Sequence, residues 1–104
     1  MHVLLIYAKA QYLAEAAREE HRIHGRVREY SRDDLQMALG ITYLAAILEQ
    51  EKIPVRCKDD SIQDDEEIRE AIKWADVIGI SALTPNAPRA LHWAQEVKAI
   101  DPSK

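Results

Sequence analysis

Apolar residues in this chain fall into short unbroken runs, separated by stretches in which they recur at helical spacing. Val3-Leu4-Leu5-Ile6-Tyr7 is the first such run. It reads as a strand covered on both faces, because a parallel strand between two helical layers loses the polar alternation of a half-exposed one. Ile53-Pro54-Val55-Arg56-Cys57 is shorter and more polar. Pro54 lacks a ladder donor, so this strand starts there or lies at a sheet edge. Asp76 to Ser81 is the third strand, with the apolar stretch Val77-Ile78-Gly79-Ile80 at its centre.

Helical periodicity fills the intervals. Ser31-Arg32-Asp33-Asp34 has a capping-box pattern with acidic residues in the first turn. Behind it Leu35, Leu39, Tyr43, Ala46 and Ile47 predict a buried stripe that ends near Glu51. Gly40 costs about 1 kcal/mol inside a helix relative to Ala. It is read first as close packing of the helix on the sheet, and alternatively as room for a bulky ligand near the helix start. Ile68, Ala71, Ile72 and Ala75 predict a second helix over Asp64–Trp74. Ala90, Leu91, Ala94 and Val97 predict the buried stripe of a third, with Thr84 or Asn86 as its cap, Pro85 or Pro88 in its first turn and Asp101-Pro102 at its end. Gln11 to His24 contains no Pro or Gly and admits a further short helix, capped by Gly25.

Strand, long connection, helix, strand, helix, strand, helix is the alternation of a parallel sheet with right-handed crossovers. The expected fold class is therefore α/β, with helices on both faces of the sheet and residues 1–104 forming one domain. Ligands of such sheets sit beyond the carboxyl ends of the strands, where the strand order reverses. That rule directs attention to Asp76–Pro88, where an apolar strand breaks into Ser81-Ala82-Leu83-Thr84-Pro85-Asn86 just before a helix.

Composition narrows the functional classes. The chain has 104 residues and a formal net charge of −4, which argues against general affinity for nucleic acid. No run is long enough to span a membrane, and the N-terminus enters a strand without a signal-peptide pattern, so a cytoplasmic protein is expected. The one cysteine, Cys57, forms no internal disulfide and fits a reducing compartment. It reads as a small buried hydrophobe rather than a nucleophile. The acidic stretch Asp59–Glu67 reads as a solvated loop leading into a helix N-terminus, without the Gly and Glu of a calcium loop.

Three segments in order carry a family resemblance: Val3–Tyr7, then Leu39-Gly40-Ile41-Thr42-Tyr43-Leu44-Ala45-Ala46-Ile47-Leu48-Glu49, then Asp76-Val77-Ile78-Gly79-Ile80-Ser81-Ala82-Leu83-Thr84-Pro85-Asn86. Together they resemble the N-terminal cobalamin-binding domain of cobalamin-dependent radical S-adenosylmethionine enzymes, over about residues 2–102. The resemblance implies a flavodoxin-like fold, here partial, with strands in the order 2-1-3. It also implies cobalamin as the cofactor, with Ser81 and Leu83 matching the family's Ser-x-Leu element at the nucleotide tail. The candidate cofactor-binding residues are Tyr7, Ala8, Lys9, Leu39, Gly40, Ser81, Leu83, Thr84 and Asn86.

Departures from the family pattern are equally specific. The Asp-x-His-x-x-Gly signature expected after the first strand is replaced by Tyr7-Ala8-Lys9-Ala10. His21 and His24 have the wrong spacing to supply its cobalt ligand and are minor candidates for that role; no metal site is expected. The Gly-Gly element and the Cys-x-x-x-Cys-x-x-Cys cluster motif have no counterpart. An iron–sulfur cluster and S-adenosylmethionine would belong to a downstream domain of a larger enzyme carrying out methyl transfer or rearrangement, and these residues alone are expected to have no catalytic activity. A third strand left at the sheet edge invites association, so an oligomer through that edge, or a covering C-terminal domain, is expected. The competing reading is a protein-association module of the same fold that binds no cofactor. A flavin-binding reading is weaker, because the first loop lacks a phosphate cradle.

Overall fold

A computed structural model describes residues 1–9, 39–83 and 86–104. The expectations for Gln11–Gly25, His21 and His24, Ser31–Asp34, Thr84 and Pro85 lie outside the described residues. Three parallel strands, β1 (Val3–Tyr7), β2 (Val55–Asp59) and β3 (Val77–Ser81), form a sheet in the order β2-β1-β3. Three helices accompany them: α1 (Leu39–Gln50), α2 (Asp65–Trp74) and α3 (Ala87–Ile100). This is the expected partial flavodoxin-like α/β arrangement. None of the described helices is long and apolar enough to cross a membrane.

Alternation along β1 assigns the two faces. Leu4 and Ile6 have no exposed surface and pack with Ile68, Ala71 and Ile72 of α2 and Trp93 and Val97 of α3. Val3 and Leu5 point the other way, onto Ile41 and Ala45 of α1. The central strand is thus buried on both faces, which is why its sequence carries no polar alternation. Two sheet faces with opposite helix partners follow from right-handed crossovers on either side of one central strand.

Helix α2 forms as its sequence predicts. Asp64 caps it by accepting from the Glu67 amide at 2.9 Å, and Asp65, Glu66 and Glu67 occupy its first turn, where acidic groups favour the helix dipole. Helix α1 ends differently. The Ile53 amide bonds the Leu48 carbonyl and the Lys52 amide the Glu49 carbonyl, both at 3.0 Å, the paired bonds of a Schellman motif. Lys52 takes the left-handed position with φ of 59°. Strand β2 consequently begins at Val55, two residues after the expected start, with the Pro54 carbonyl accepting from Val3 N–H.

Two predicted helical stripes are displaced. In α1 the buried seam is Ile41 and Ala45, with Leu48 packed beside them. Leu39, Tyr43, Ala46 and Ile47 are instead exposed. An apolar helix offers several seams of the same period, and contact with β1 and β2 selects one. Gly40 does not pack closely on the sheet: a Cβ built there meets no atom within 4 Å. In α3 the buried residues are Arg89, Trp93 and Val97. Leu91 and Ala94 lie on the exposed flank beside the outer edge of β3. The seam includes a charged residue because its partner, Asp60, is buried with it.

Candidate functional site

The strand ends converge at the carboxyl edge of the sheet. Tyr7 and Ser81 are direct neighbours in the β1–β3 register, as are Tyr7 and Asp59 between β1 and β2. Helix α1 runs back toward the start of β2, so its first residues, Leu39 and Gly40, lie toward this same edge. The Cys57 Sγ near the Ile41 carbonyl oxygen, at 4.0 Å, fixes that level. The fold thereby brings Tyr7, Ala8, Lys9, Leu39, Gly40, Ser81, Leu83 and Asn86 to one end of the molecule.

Below the face that packs α2 and α3, that end is closed by a polar network. Arg89 donates through Nε to Asp60 Oδ2 at 2.9 Å and through Nη2 to Asp60 Oδ1 at 2.8 Å. Nη2 also reaches Asp65 Oδ1 at 3.1 Å. The Lys9 amide donates to Asp60 Oδ2 at 3.1 Å. Asn86 stands at the N-cap position of α3, but its side chain makes no cap bond; Nδ2 donates to the Ala8 carbonyl. This amide therefore ties the β1 end to the β3–α3 loop, a role distinct from the expected helix cap and cofactor contact.

Burial pushes the Asp60 carboxyl up, yet the Arg89 hydrogen bonds, the Lys9 amide and the neighbouring Trp93 outweigh it and hold the group below its usual range. The Trp93 ring is fully buried, and its Nε1 lacks a hydrogen-bond partner in the structure, so its influence on Asp60 is proximity rather than a formed bond. The Asp59–Glu67 stretch is accordingly not a wholly solvated loop: the Asp60 side chain has no exposed surface. Pattern reading missed Asp60 and Arg89 because their pairing spans 29 residues. The available signal was an arginine at the apolar spacing of α3, four residues before Trp93.

On the opposite face, α1 is the one helix that packs on the sheet among the described residues. Helix α1 packs over β1 and β2, and the partial screening of the Cys57 thiol from water, followed by the nearby Glu49 on one flank, raises its pKa. Helical spacing then turns the other flank, Gly40, Leu44 and Ile47, toward β3. Val77, Gly79 and Ser81 of β3 share the α1 face of the sheet, since they stand beside Val3, Leu5 and Tyr7. Val77 is 47% exposed, Leu44 51% and Ile47 42%. Gly79 stands between Val77 and Ser81 on this side of β3, with Ser81 at the carboxyl end. Leu83, 71% exposed, stands beyond Ser81.

The other predicted residues separate from this site. Cys57 is exposed on edge strand β2, not a buried hydrophobe. Trp93 is a core residue. Trp74 packs at the opposite end, stacked on His2 with 4.5 Å between ring centroids and with the Arg56 guanidinium 4.1 Å from its ring. Among the described residues no group of three His, Cys, Asp or Glu side chains is placed to hold a metal ion. No family model, curated protein or solved structure matches this chain.

Proposed function

We propose that this chain is the cobalamin-binding module of a radical S-adenosylmethionine enzyme. The observation that supports the reading is the exposed apolar surface of Leu44 and Ile47 on α1 and Val77 on β3, on the α1 side of the sheet and leading to its switch point; we infer that the two elements border a trough there. Its dimensions depend on missing side chains: Gly40 leaves open space on the wall, and Gly79 leaves the floor flat, where a Cβ would stand 2.9 Å from Leu5 Cδ2. A flat aromatic base on a nucleotide tail suits a slot with apolar walls and one hydroxyl, here Ser81.

In this reading Tyr7, Gly40, Gly79 and Ser81 border the nucleotide tail, while Ala8, Lys9, Leu39 and Leu83 lie nearer the corrin. Thr84 belongs to the same loop in sequence. Asn86 acts indirectly, by holding the β1 end through the Ala8 carbonyl. When bound, the cobalt would supply methyl transfer or rearrangement chemistry, with the protein contributing position and a dry environment. The iron–sulfur cluster and S-adenosylmethionine would be held outside these residues, and the protein would work in the cytoplasm.

Gel filtration with hydroxocobalamin provides the test. The chain and the corrinoid, mixed on the order of tens of micromolar, are expected to co-elute as a red band with a shifted visible spectrum. Separate elution would remove the cofactor reading and leave a flavodoxin-like association module.

A further inference from the structure

The outer edge of β3 has no partner strand among the described residues, and its backbone specifies what can pair with it. Val77 N–H donates to the carbonyl of His2, the residue before β1. Peptide groups in a parallel ladder alternate in direction, so Gly79 and Ser81 also turn inward, whereas Ile78 and Ile80 present N–H and C=O outward. The outward groups are therefore symmetric about Gly79. So are the side chains on the α2/α3 face, where Ile78 and Ile80 flank a glycine. They border a groove of about 340 Å³ whose other walls include Ala94, Val97 and Lys98 of α3.

We propose that this edge pairs with the same edge of a second copy, antiparallel, about a two-fold axis through Gly79. Ile78 of each copy then exchanges both backbone bonds with Ile80 of the other, and the two glycines form the close non-hydrogen-bonded pair between them. The dyad stands perpendicular to the sheet, so both copies keep their helices on the same sides. A continuous sheet of strands β2-β1-β3 followed by β3-β1-β2 results. A dyad centred on Ile78 or Ile80 would leave one of the two outward residues without an isoleucine partner, which makes the glycine-centred register the best match.

The flank of α3 fits this arrangement. Ala87, Leu91, Ala94 and Lys98 lie on the side toward the open edge, at i, i+4, i+7 and i+11. Leu91 is 60% exposed there. The two α3 helices would approach antiparallel across the dyad, with the small Ala94 side chains permitting helix axes about 8–10 Å apart. The edge explains why Leu91 and Ala94 carry the periodicity of buried residues while remaining uncovered in one copy. An unrelated extended segment would satisfy the backbone groups but has no reason to match the symmetry about Gly79. This association is independent of cofactor binding.

Sedimentation velocity across a concentration series, with amide hydrogen exchange read by NMR, tests the interface. The 104-residue chain is expected to dimerise. Its Ile78 and Ile80 amides should exchange at least about tenfold more slowly than in Ala94→Glu. That variant puts like charges across the dyad and should be monomeric with an unchanged circular dichroism spectrum. Ala99→Glu, which adds the same charge on the far flank of α3, should remain dimeric. A monomeric wild-type chain overturns the proposal. So does a dimer whose Ile78 and Ile80 amides exchange freely, or one that Ala94→Glu leaves intact while folded.

Discussion

The Arg89 guanidinium lies against the Asp60 carboxylate in a two-point pair, 2.9 Å from Nε to Oδ2 and 2.8 Å from Nη2 to Oδ1. One partner directly follows β2 and the other lies in the first turn of α3, so the pair joins these two elements at the carboxyl edge. Arg89→Met removes the cation and leaves Asp60 buried without its partner. The expected loss is about 3–5 kcal/mol in urea unfolding. Arg89→Met combined with Asp60→Leu should recover most of it, because the uncompensated charge is gone. A single-variant loss below about 1 kcal/mol would place the pair among weak surface bridges.

The same carboxylate sets an acid limit. A group whose folded pKa is lowered stabilises the fold fully above its unfolded value and loses that contribution as pH falls through the folded value. Asp60 is such a group. Asp76, held down by the His2 backbone amide, and Asp101, held down by Ser103, are lowered as well. Stability should therefore be flat near neutrality and decline below about pH 4. Asp60→Asn should start less stable at pH 7 and show a shallower decline, as measured by thermal melts between neutral pH and acid.

Lys52 carries a backbone cost at the end of α1. Its φ of 59° lies in the left-handed region, where a side chain is disfavoured by roughly 1–2 kcal/mol and glycine is not. Lys52→Gly should stabilise the chain by about 1 kcal/mol, less the added freedom of the unfolded state. The denaturation midpoint should rise with unchanged slope.

The two described glycines should respond to alanine with opposite signs. Gly40 has open space around a new Cβ, so Gly40→Ala should gain up to about 1 kcal/mol of helix stability. Gly79 has Leu5 Cδ2 at 2.9 Å. Gly79→Ala must shift a buried leucine and should cost about 1–3 kcal/mol unless Leu5 finds another rotamer. Equal responses in thermal melts would contradict the packing described around these two glycines.

Sequence pattern carried the architecture further than it carried the site. The apolar runs at Val3–Tyr7 and Val77–Ile80 and the Ile68, Ala71, Ile72 spacing each match an observed element, because a run between two helical layers and a helix with one apolar face leave distinct periods. Helix α1 did not yield its seam. Leu39 to Leu48 is apolar almost all round, so Ile41 and Ala45 could be told from Tyr43 and Ala46 only once β1 and β2 were in place. For α3, the predicted stripe of Ala90, Leu91, Ala94 and Val97 is rotated from the observed seam of Arg89, Trp93 and Val97, because an apolar pattern passes over an arginine. A long-range ion pair hides this way: each member alone looks like a surface residue. Asn86 occupied its expected cap position, but its bond to Ala8 depends on two loops meeting in space.

The proposed cobalamin tail site lies between the α1 flank and β3. Visible-spectrum titration of hydroxocobalamin into the wild-type chain and into Gly40→Trp tests it most directly, because Gly40 borders the proposed trough without supporting the fold. Saturable binding is expected, weakened at least about tenfold in the variant, a difference of about 1.4 kcal/mol. A wild-type chain that leaves the spectrum unchanged, or a folded Gly40→Trp that binds as tightly as wild type, would mean that no cobalamin tail lies there.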